Sequence, residues 1–132
     1  MYNQINLLSK ALNASWKRNE VIANNIANVN TPNFKRSDVE FEEILKRYVN
    51  GDDLTGVTTH QNHIPIGVRS IADAEHKVVN NGGFSTRRDK NNVDIDVEMA
   101  ELAKNTITFN TLSTQLNNHF SRLRIAINEG KR

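Results

Sequence analysis

The sequence predicts a mainly α-helical protein in which two long terminal helices pair as an antiparallel coiled coil around an irregular middle segment. Three observations predict this class: an apolar heptad repeat near each end of the chain, and between them a segment rich in Gly, Asn, Asp, Thr and His. Apolar residues at alternating spacings of three and four form one stripe along a helix. We therefore expect residues 1–31 and 93–132 to form one structural unit, and residues 50–92 to be irregular and flexible in part.

The first heptad repeat predicts an N-terminal helix within residues 1–31. Trp16 widens its apolar stripe on one side. Two polar residues, Ser15 and Asn19, interrupt the stripe, and polar side chains at such positions cost stability but specify register or partner. The stripe consists of Ile5, Leu8, Leu12, Ser15, Asn19, Ile22, Ile26 and Val29.

An Asn-rich stretch ends this helix. Asn is a poor helix former because its amide competes for the backbone hydrogen bonds, so these amides need fixed partners, and we expect a packed neighbour to supply them. Pro32 disfavours the helical conformation at Thr31, so the helix should end before it. Asn33 tolerates a left-handed turn. The amides belong to Asn24, Asn25, Asn28 and Asn30.

The residues after this turn predict a short helix within residues 32–49. Ser37 and Glu40 have the spacing of a capping box, which opens a helix. Apolar pairs at residues 64–68 and near 77–79 indicate two short strands, which would form a small β element. The apolar face of the short helix would be formed by Phe41, Ile44, Leu45 and Tyr48.

The second heptad repeat predicts a C-terminal helix within residues 93–132. Acidic residues at its start, and Arg122 and Arg124 near its end, complement the helix dipole. Gly130 favours termination there. The stripe consists of Met99, Leu102, Thr106, Phe109, Ser113, Leu116, Phe120, Leu123 and Ile127.

Two motifs resemble the signatures of the flagellar axial proteins, the family of rod, hook and hook-associated subunits. The first resembles N-N-I-A-N-x-N-T-P-G-[FY] and consists of Asn24, Asn25, Ile26, Ala27, Asn28, Asn30, Thr31, Pro32, Asn33 and Phe34. The second resembles the element that opens the C-terminal helix of basal-body rod proteins and includes Asn92, Val93, Asp94, Glu98 and Met99. Asn33 and Lys90 stand where this family often has Gly. Residues 37–45, the short chain and residues 120–127 resemble the proximal members of the rod family most.

The resemblance implies a structural subunit that assembles through its terminal helices into the tube that transmits torque and encloses the export channel. The apolar residues of both stripes, together with Trp16, would form the subunit interfaces. The implied partners are the other flagellar rod subunits, the adaptor that links the rod to the membrane ring, and the export gate. The implied location is the periplasm-spanning rod of the basal body, reached by type III export without a cleavable signal peptide.

Composition argues against other classes of function. The chain has no Cys, which excludes disulfides and thiolate metal sites, and its 17 basic and 15 acidic residues are too balanced to indicate nucleic-acid binding. No apolar run has the length of a transmembrane segment. His60 and His63 form H-x-x-H without a third ligand at helical spacing, so we expect no metal site. We also expect no other cofactor and no enzyme activity, because the sequence shows no recognised arrangement of catalytic residues.

Two alternatives remain open at this point. One is a sibling axial protein of the same rod. The other is a cytosolic helical adaptor or export chaperone, which would bind its partners by helix-in-groove contacts. The Thr-Pro-Asn turn argues against the second, because such a protein has no need of the axial signature.

Overall fold

The computed structural model describes residues 2–42, 45–46, 76–80, 82 and 88–130. Two long helices dominate this part of the chain. Helix α1 spans Tyr2–Ala27 and helix α2 spans Ile95–Glu129, with 26 and 35 residues. At 1.5 Å per residue they are about 39 Å and about 52 Å long.

The two helices run antiparallel. Ser15 in α1 is hydrogen-bonded to Asn105 in α2, whereas Asn25, further along α1, is hydrogen-bonded to Glu98, which lies earlier in α2. The predicted mainly α class is confirmed, and the contacts are consistent with coiled-coil pairing. Neither helix, within the described residues, has a stretch apolar enough over the necessary length to cross a bilayer.

Local signals define both ends of α2. Asp94 is the N-cap, and its carboxylate accepts hydrogen bonds from the N–H groups of Asp96 and Val97 at 3.0 and 3.5 Å. These bonds supply an acceptor to N–H groups of the first turn, which have no carbonyl partner within the helix. At the other end α2 ends at Glu129 with Gly130 as its C-cap, so the predicted stop at Gly130 is confirmed, and the Gly130 N–H donates to the carbonyl of Ala126 at 3.2 Å.

The capping box predicted at Ser37 and Glu40 is wrong. Strand β1 occupies Ser37–Glu40 and pairs antiparallel with strand β2, Lys77–Asn80. The Ser37 hydroxyl donates to Oδ1 of Asn80 at 2.7 Å instead of capping a helix. The backbone of Ser37 stays extended because the side chain of Asn25 binds both its N–H and its carbonyl.

Other predictions for the middle segment have mixed outcomes. The strand predicted near residues 77–79 is confirmed by β2. A helical turn does follow β1, since the N–H of Leu45 donates to the carbonyl of Phe41 at 3.1 Å. The strand predicted at residues 64–68 lies outside the described residues, and the division of the chain at residues 31, 49 and 92 stays a prediction.

The apolar core lies on one side of the helix pair. Ala11, Ala14 and Phe41 form a buried cluster, against which Leu45 and Leu112 pack. Small residues on α1 allow the Phe41 ring to sit close to the helix backbone, between α1 and α2. The segment that follows α1 therefore covers one side of the helix pair.

Candidate assembly site

An ion pair joins the second sequence motif to the segment that directly follows the first, with one partner fully and the other partly buried. Glu98 is fully buried, and its carboxylate accepts hydrogen bonds from Nε of Arg36 and, at 3.0 Å, from Nδ2 of Asn25. Arg36 also pairs with Asp38 at 3.1 Å. Burial lowers the pKa of Arg36, but the hydrogen bond and negative charge of Glu98, and then Asp38, outweigh it, so the pKa is raised. The guanidinium therefore stays charged wherever the protein is folded.

Asn25 acts as a backbone partner for β1. Its side chain is fully buried, its Nδ2 donates to the Ser37 carbonyl at 2.8 Å, and its Oδ1 accepts from the Ser37 N–H at 3.0 Å. A side-chain amide has the same donor and acceptor groups as a peptide unit. It can therefore pair with an extended strand from a position on a helix.

Asn91 closes the C-terminal end of α1. This side chain is fully buried, and its Nδ2 donates to the carbonyls of Asn28, Val29 and Thr31 at 2.9, 3.0 and 2.9 Å. Its Oδ1 accepts from the N–H of Val93 at 2.8 Å. The last carbonyls of a helix lack partners within the helix. Asn91 supplies them from the segment before α2. Its neighbour Asn92 accepts a hydrogen bond from the Arg36 N–H through Oδ1 at 2.7 Å. We call Asn25, Arg36, Asn91, Asn92 and Glu98 the polar cluster.

Two left-handed residues bring these segments together. Asn33 has φ 62° and donates its N–H to the Asp89 carbonyl at 2.8 Å, so the left-handed turn predicted there is confirmed. Lys90 has φ 58°, and its carbonyl accepts from Nζ of Lys35 at 2.9 Å. Both residues stand where the family resembled often has Gly, which adopts this conformation without steric cost.

Lys90 gives a first testable prediction. Lys90→Val should be less stable than Lys90→Gly by about 1–2 kcal/mol, because a β-branched residue is strained at a positive φ. Urea unfolding followed by circular dichroism measures the difference. Lys46, an exposed lysine in the helical turn after β1, is the matched control: there Val should be at least as stable as Gly. Equal stability of the two Lys90 variants would contradict the left-handed geometry.

The two motifs, distant in sequence, therefore meet in one hydrogen-bonded unit. Asn28 also finds a partner within the chain, since its Nδ2 donates to the Asn24 carbonyl at 2.8 Å. The fixed partners expected for these amides are therefore present within the chain for Asn25, which binds Ser37 and Glu98 on packed neighbouring segments, and for Asn28, which binds α1 itself. Asn24 and Asn30 are exposed, and their side chains make no hydrogen bond within the described residues.

Along part of α2, the residues that face α1 each lie one position before the residue predicted for the apolar stripe. Glu98 and Asn105 are buried, whereas Met99 and Thr106 are exposed. The reason is polar pairing: Oδ1 of Asn105 accepts from the Ser15 hydroxyl at 2.9 Å. Its Nδ2 donates at 2.8 Å to both the Ser15 carbonyl and the Asn19 side chain. Ser15 and Asn19 thus specify the pairing of α1 with α2 in the same chain.

The rest of the predicted stripe is divided between the helix contact and the surface. Ile22 is buried. The half-buried residues are Ile5, Leu8, Leu12, Ile26, Val29, Leu102, Phe109, Leu116 and Leu123. The exposed ones are Trp16, Met99, Phe120 and Ile127. Apolar spacing gives no indication of Arg36, Asn91 or Asn105. The only signal for Arg36 and Asn91 is that they are polar residues beside the two motifs.

Large apolar side chains lie exposed on the side of the helix pair away from Phe41. Ile95, Met99, Phe120 and Ile127 are 46%, 53%, 51% and 66% exposed, and helical geometry places them on one flank of α2. Trp16 is 66% exposed, with its ring centroid 6.2 Å from that of Phe109. We call Trp16, Ile95, Met99, Phe120 and Ile127 the open flank. Several large apolar side chains exposed on one flank make it a candidate interaction site.

Nothing in the described residues suggests a metal site. No group of three or more His, Asp or Glu side chains there is arranged to hold a metal ion. His60 and His63 lie outside the described residues.

Comparison with known proteins identifies the family. A family model described as "Flagella basal body rod protein" matches residues 5–35. Flagellar basal body rod protein FlgB of Bacillus subtilis is 35% identical over 124 residues, which cover 94% of this chain and 92% of the relative. FlgB of Aquifex aeolicus is 32% identical over 111 residues, covering 84% and 82%. FlgB of Proteus mirabilis is 32% identical over 135 residues, covering 97% and 96%.

These relatives share one name and match nearly the whole chain, which favours a rod subunit over a sibling axial protein, an adaptor or a chaperone. They also support a location in the flagellum basal body. The chain therefore belongs to the flagellar basal body rod protein family, as a FlgB-type member, and is a structural protein rather than an enzyme.

Proposed function

We propose that this chain is a structural subunit of the proximal rod and polymerises with its neighbours through the open flank and the apolar stripes of its two helices. The observation that supports this most is the open flank itself. It places large apolar residues in solvent along one side of a helix pair whose other side is covered by Phe41.

The polar cluster gives this surface a fixed shape. The ion pair between Arg36 and Glu98 and the capping of α1 by Asn91 hold the ends of the two helices together. A preformed surface loses less conformational entropy when it associates. We therefore assign the polar cluster to positioning and the open flank to contact.

Simple energetics favour several contacts per subunit. Fully burying one large apolar side chain contributes about 1.5–3 kcal/mol, whereas association costs about 4–15 kcal/mol in lost freedom. The few residues of the open flank against a single neighbour give a weak contact, so a stable rod requires each copy to touch several neighbours at once.

The partners of this chain in the proposal are the other rod subunits, the adaptor to the membrane ring and the export gate. The chain reaches the periplasm-spanning rod by export without signal cleavage, and the tube transmits torque and encloses the export channel.

Genetic complementation tests the proposal. In a flagellated host without its own copy, this chain should restore rods in purified basal bodies and swimming in soft agar. Phe120→Asp should abolish both, because it places a charge in the apolar contact.

Ile107→Asp is the matched control. Ile107 is 69% exposed and lies on the opposite side of α2, so this variant should build rods. Circular dichroism of both purified variants verifies that the helices are retained. Normal rods and swimming with Phe120→Asp would exclude the open flank as an assembly surface.

A further inference from the structure

We infer that folding starts at the beginning of α2 and that α1 folds onto it, so that the part of the chain that is made first folds last. The start of α2, residues 94–104, carries its own signals for a helix. α1 carries few such signals, and its buried polar groups bind α2. This order of folding is a property of the single chain and can be measured without the proposed function.

The start of α2 favours a helix by its local sequence alone. Asp94 caps the first turn, and Asp96 and Glu98 place negative charge there, which complements the helix dipole. Glu101 and Lys104 form an ion pair within one turn at 3.5 Å. The residues that follow the first turn are strong helix formers, namely Met99, Ala100, Glu101, Leu102, Ala103 and Lys104. Helix formation can therefore begin here without distant partners.

α1 lacks most of these signals. Its first turn has no acidic residue and its last turn has no basic residue. The backbone carbonyls just after its last turn are bound by Asn91, which comes from the segment before α2. Asn, a poor helix former, recurs along this helix as Asn3, Asn6, Asn13, Asn19, Asn24 and Asn25. The stability of such a helix comes from packing against other elements rather than from its own sequence.

The buried polar groups of α1 depend on α2. Ser15 and Asn25 are the polar residues of α1 that are buried. Ser15 binds Asn105 and Asn25 binds Glu98, across 90 and 73 residues of sequence. A buried polar group without its partner is unfavourable, so α1 reaches its packed position only when the start of α2 is in place. Contacts between such distant residues also form late, because closing a long loop costs entropy.

The nearer partners of α1 do not complete a folded unit in the first part of the chain. Arg18 binds Glu42 and the Val39 carbonyl, and Asn25 binds the Ser37 backbone. These bonds join α1 to β1, but β1 pairs with β2 at residues 77–80. The first part of the chain therefore stays open until almost all of the chain is present. Such an order suits a chain that passes through a narrow export channel.

Two matched variants test this order of folding. Ala103 at the start of α2 and Ala23 in α1 are both exposed, so Ala103→Gly and Ala23→Gly remove the same helix propensity and no buried contact. Stopped-flow circular dichroism of the full chain in urea measures the refolding and unfolding rates of each variant. Ala103→Gly should slow refolding about threefold to fivefold and leave unfolding almost unchanged. Ala23→Gly should leave refolding almost unchanged and accelerate unfolding by about the same factor.

Asp94→Ala provides an independent measurement, because it removes the N-cap of α2 and leaves α1 intact. It should slow refolding more than it accelerates unfolding. If Ala23→Gly slows refolding at least as much as Ala103→Gly, the inference is overturned in favour of folding from the N-terminus. An effect of Asp94→Ala that is confined to the unfolding rate would overturn it as well.

Discussion

Replacing Glu98 with Ala should lower the free energy of unfolding by about 3–5 kcal/mol. The substitution removes the buried carboxylate that binds Arg36 and Asn25, and it leaves a partly buried guanidinium near α2 without its main partner. Small domains have a total stability of about 5–15 kcal/mol. The loss is therefore a large part of the stability of the helix pair.

Two matched variants make this measurement specific. Glu98→Gln keeps the shape and one acceptor oxygen but not the charge, so its urea midpoint should lie between those of the wild type and Glu98→Ala. Glu101→Ala removes a solvent-exposed pair with Lys104 at 3.5 Å and should change stability by less than about 1 kcal/mol. Equal losses in Glu98→Ala and Glu101→Ala would show that the buried pair adds nothing beyond a surface ion pair.

The features that the sequence predicts well depend on local spacing. The two helices follow from apolar residues three and four apart, the end of α2 from Gly130, and the turn at Asn33 from its tolerance of positive φ. Each of these is decided by residues within one or two helical turns. These features can therefore be predicted without knowing which distant residues they contact.

The features that the sequence does not predict depend on distant polar partners. Ser37 and Glu40 have the local pattern of a helix start, yet they lie in β1 because Asn25 binds the Ser37 backbone from α1. Likewise, apolar spacing favours Thr106 as a contact residue. Asn105 takes the buried position instead because Ser15 and Asn19 satisfy its amide. A polar residue is buried when its partner is present, and one-dimensional spacing does not show the partner.

Asn91→Asp tests whether a buried polar residue depends on its distant partners. It keeps the shape of the side chain but replaces the amide donor by a carboxylate oxygen, which accepts hydrogen bonds. The new carboxylate oxygen would face the three carbonyl oxygens that Nδ2 now binds at 2.9–3.0 Å. Asn91→Ala only leaves these carbonyls without a donor, which costs about 1–3 kcal/mol. Asn91→Asp adds charge repulsion and should be the less stable of the two. Asn30→Asp, at an exposed position, should stay within about 0.5 kcal/mol of the wild type.

The pH dependence of Asn91→Asp distinguishes repulsion from lost packing. Burial among carbonyl oxygens raises the pKa of the new carboxyl in the folded state above its value of about 3.9 in the unfolded chain. A raised folded-state pKa makes the protein lose stability as pH rises from the unfolded towards the folded value. Below that window the protonated acid donates to a carbonyl, much as the natural amide does. The stability gap between Asn91→Asp and the wild type should therefore narrow from pH 7 to pH 4, whereas the gap for Asn91→Ala should stay constant; parallel curves for both variants would exclude charge repulsion at this site.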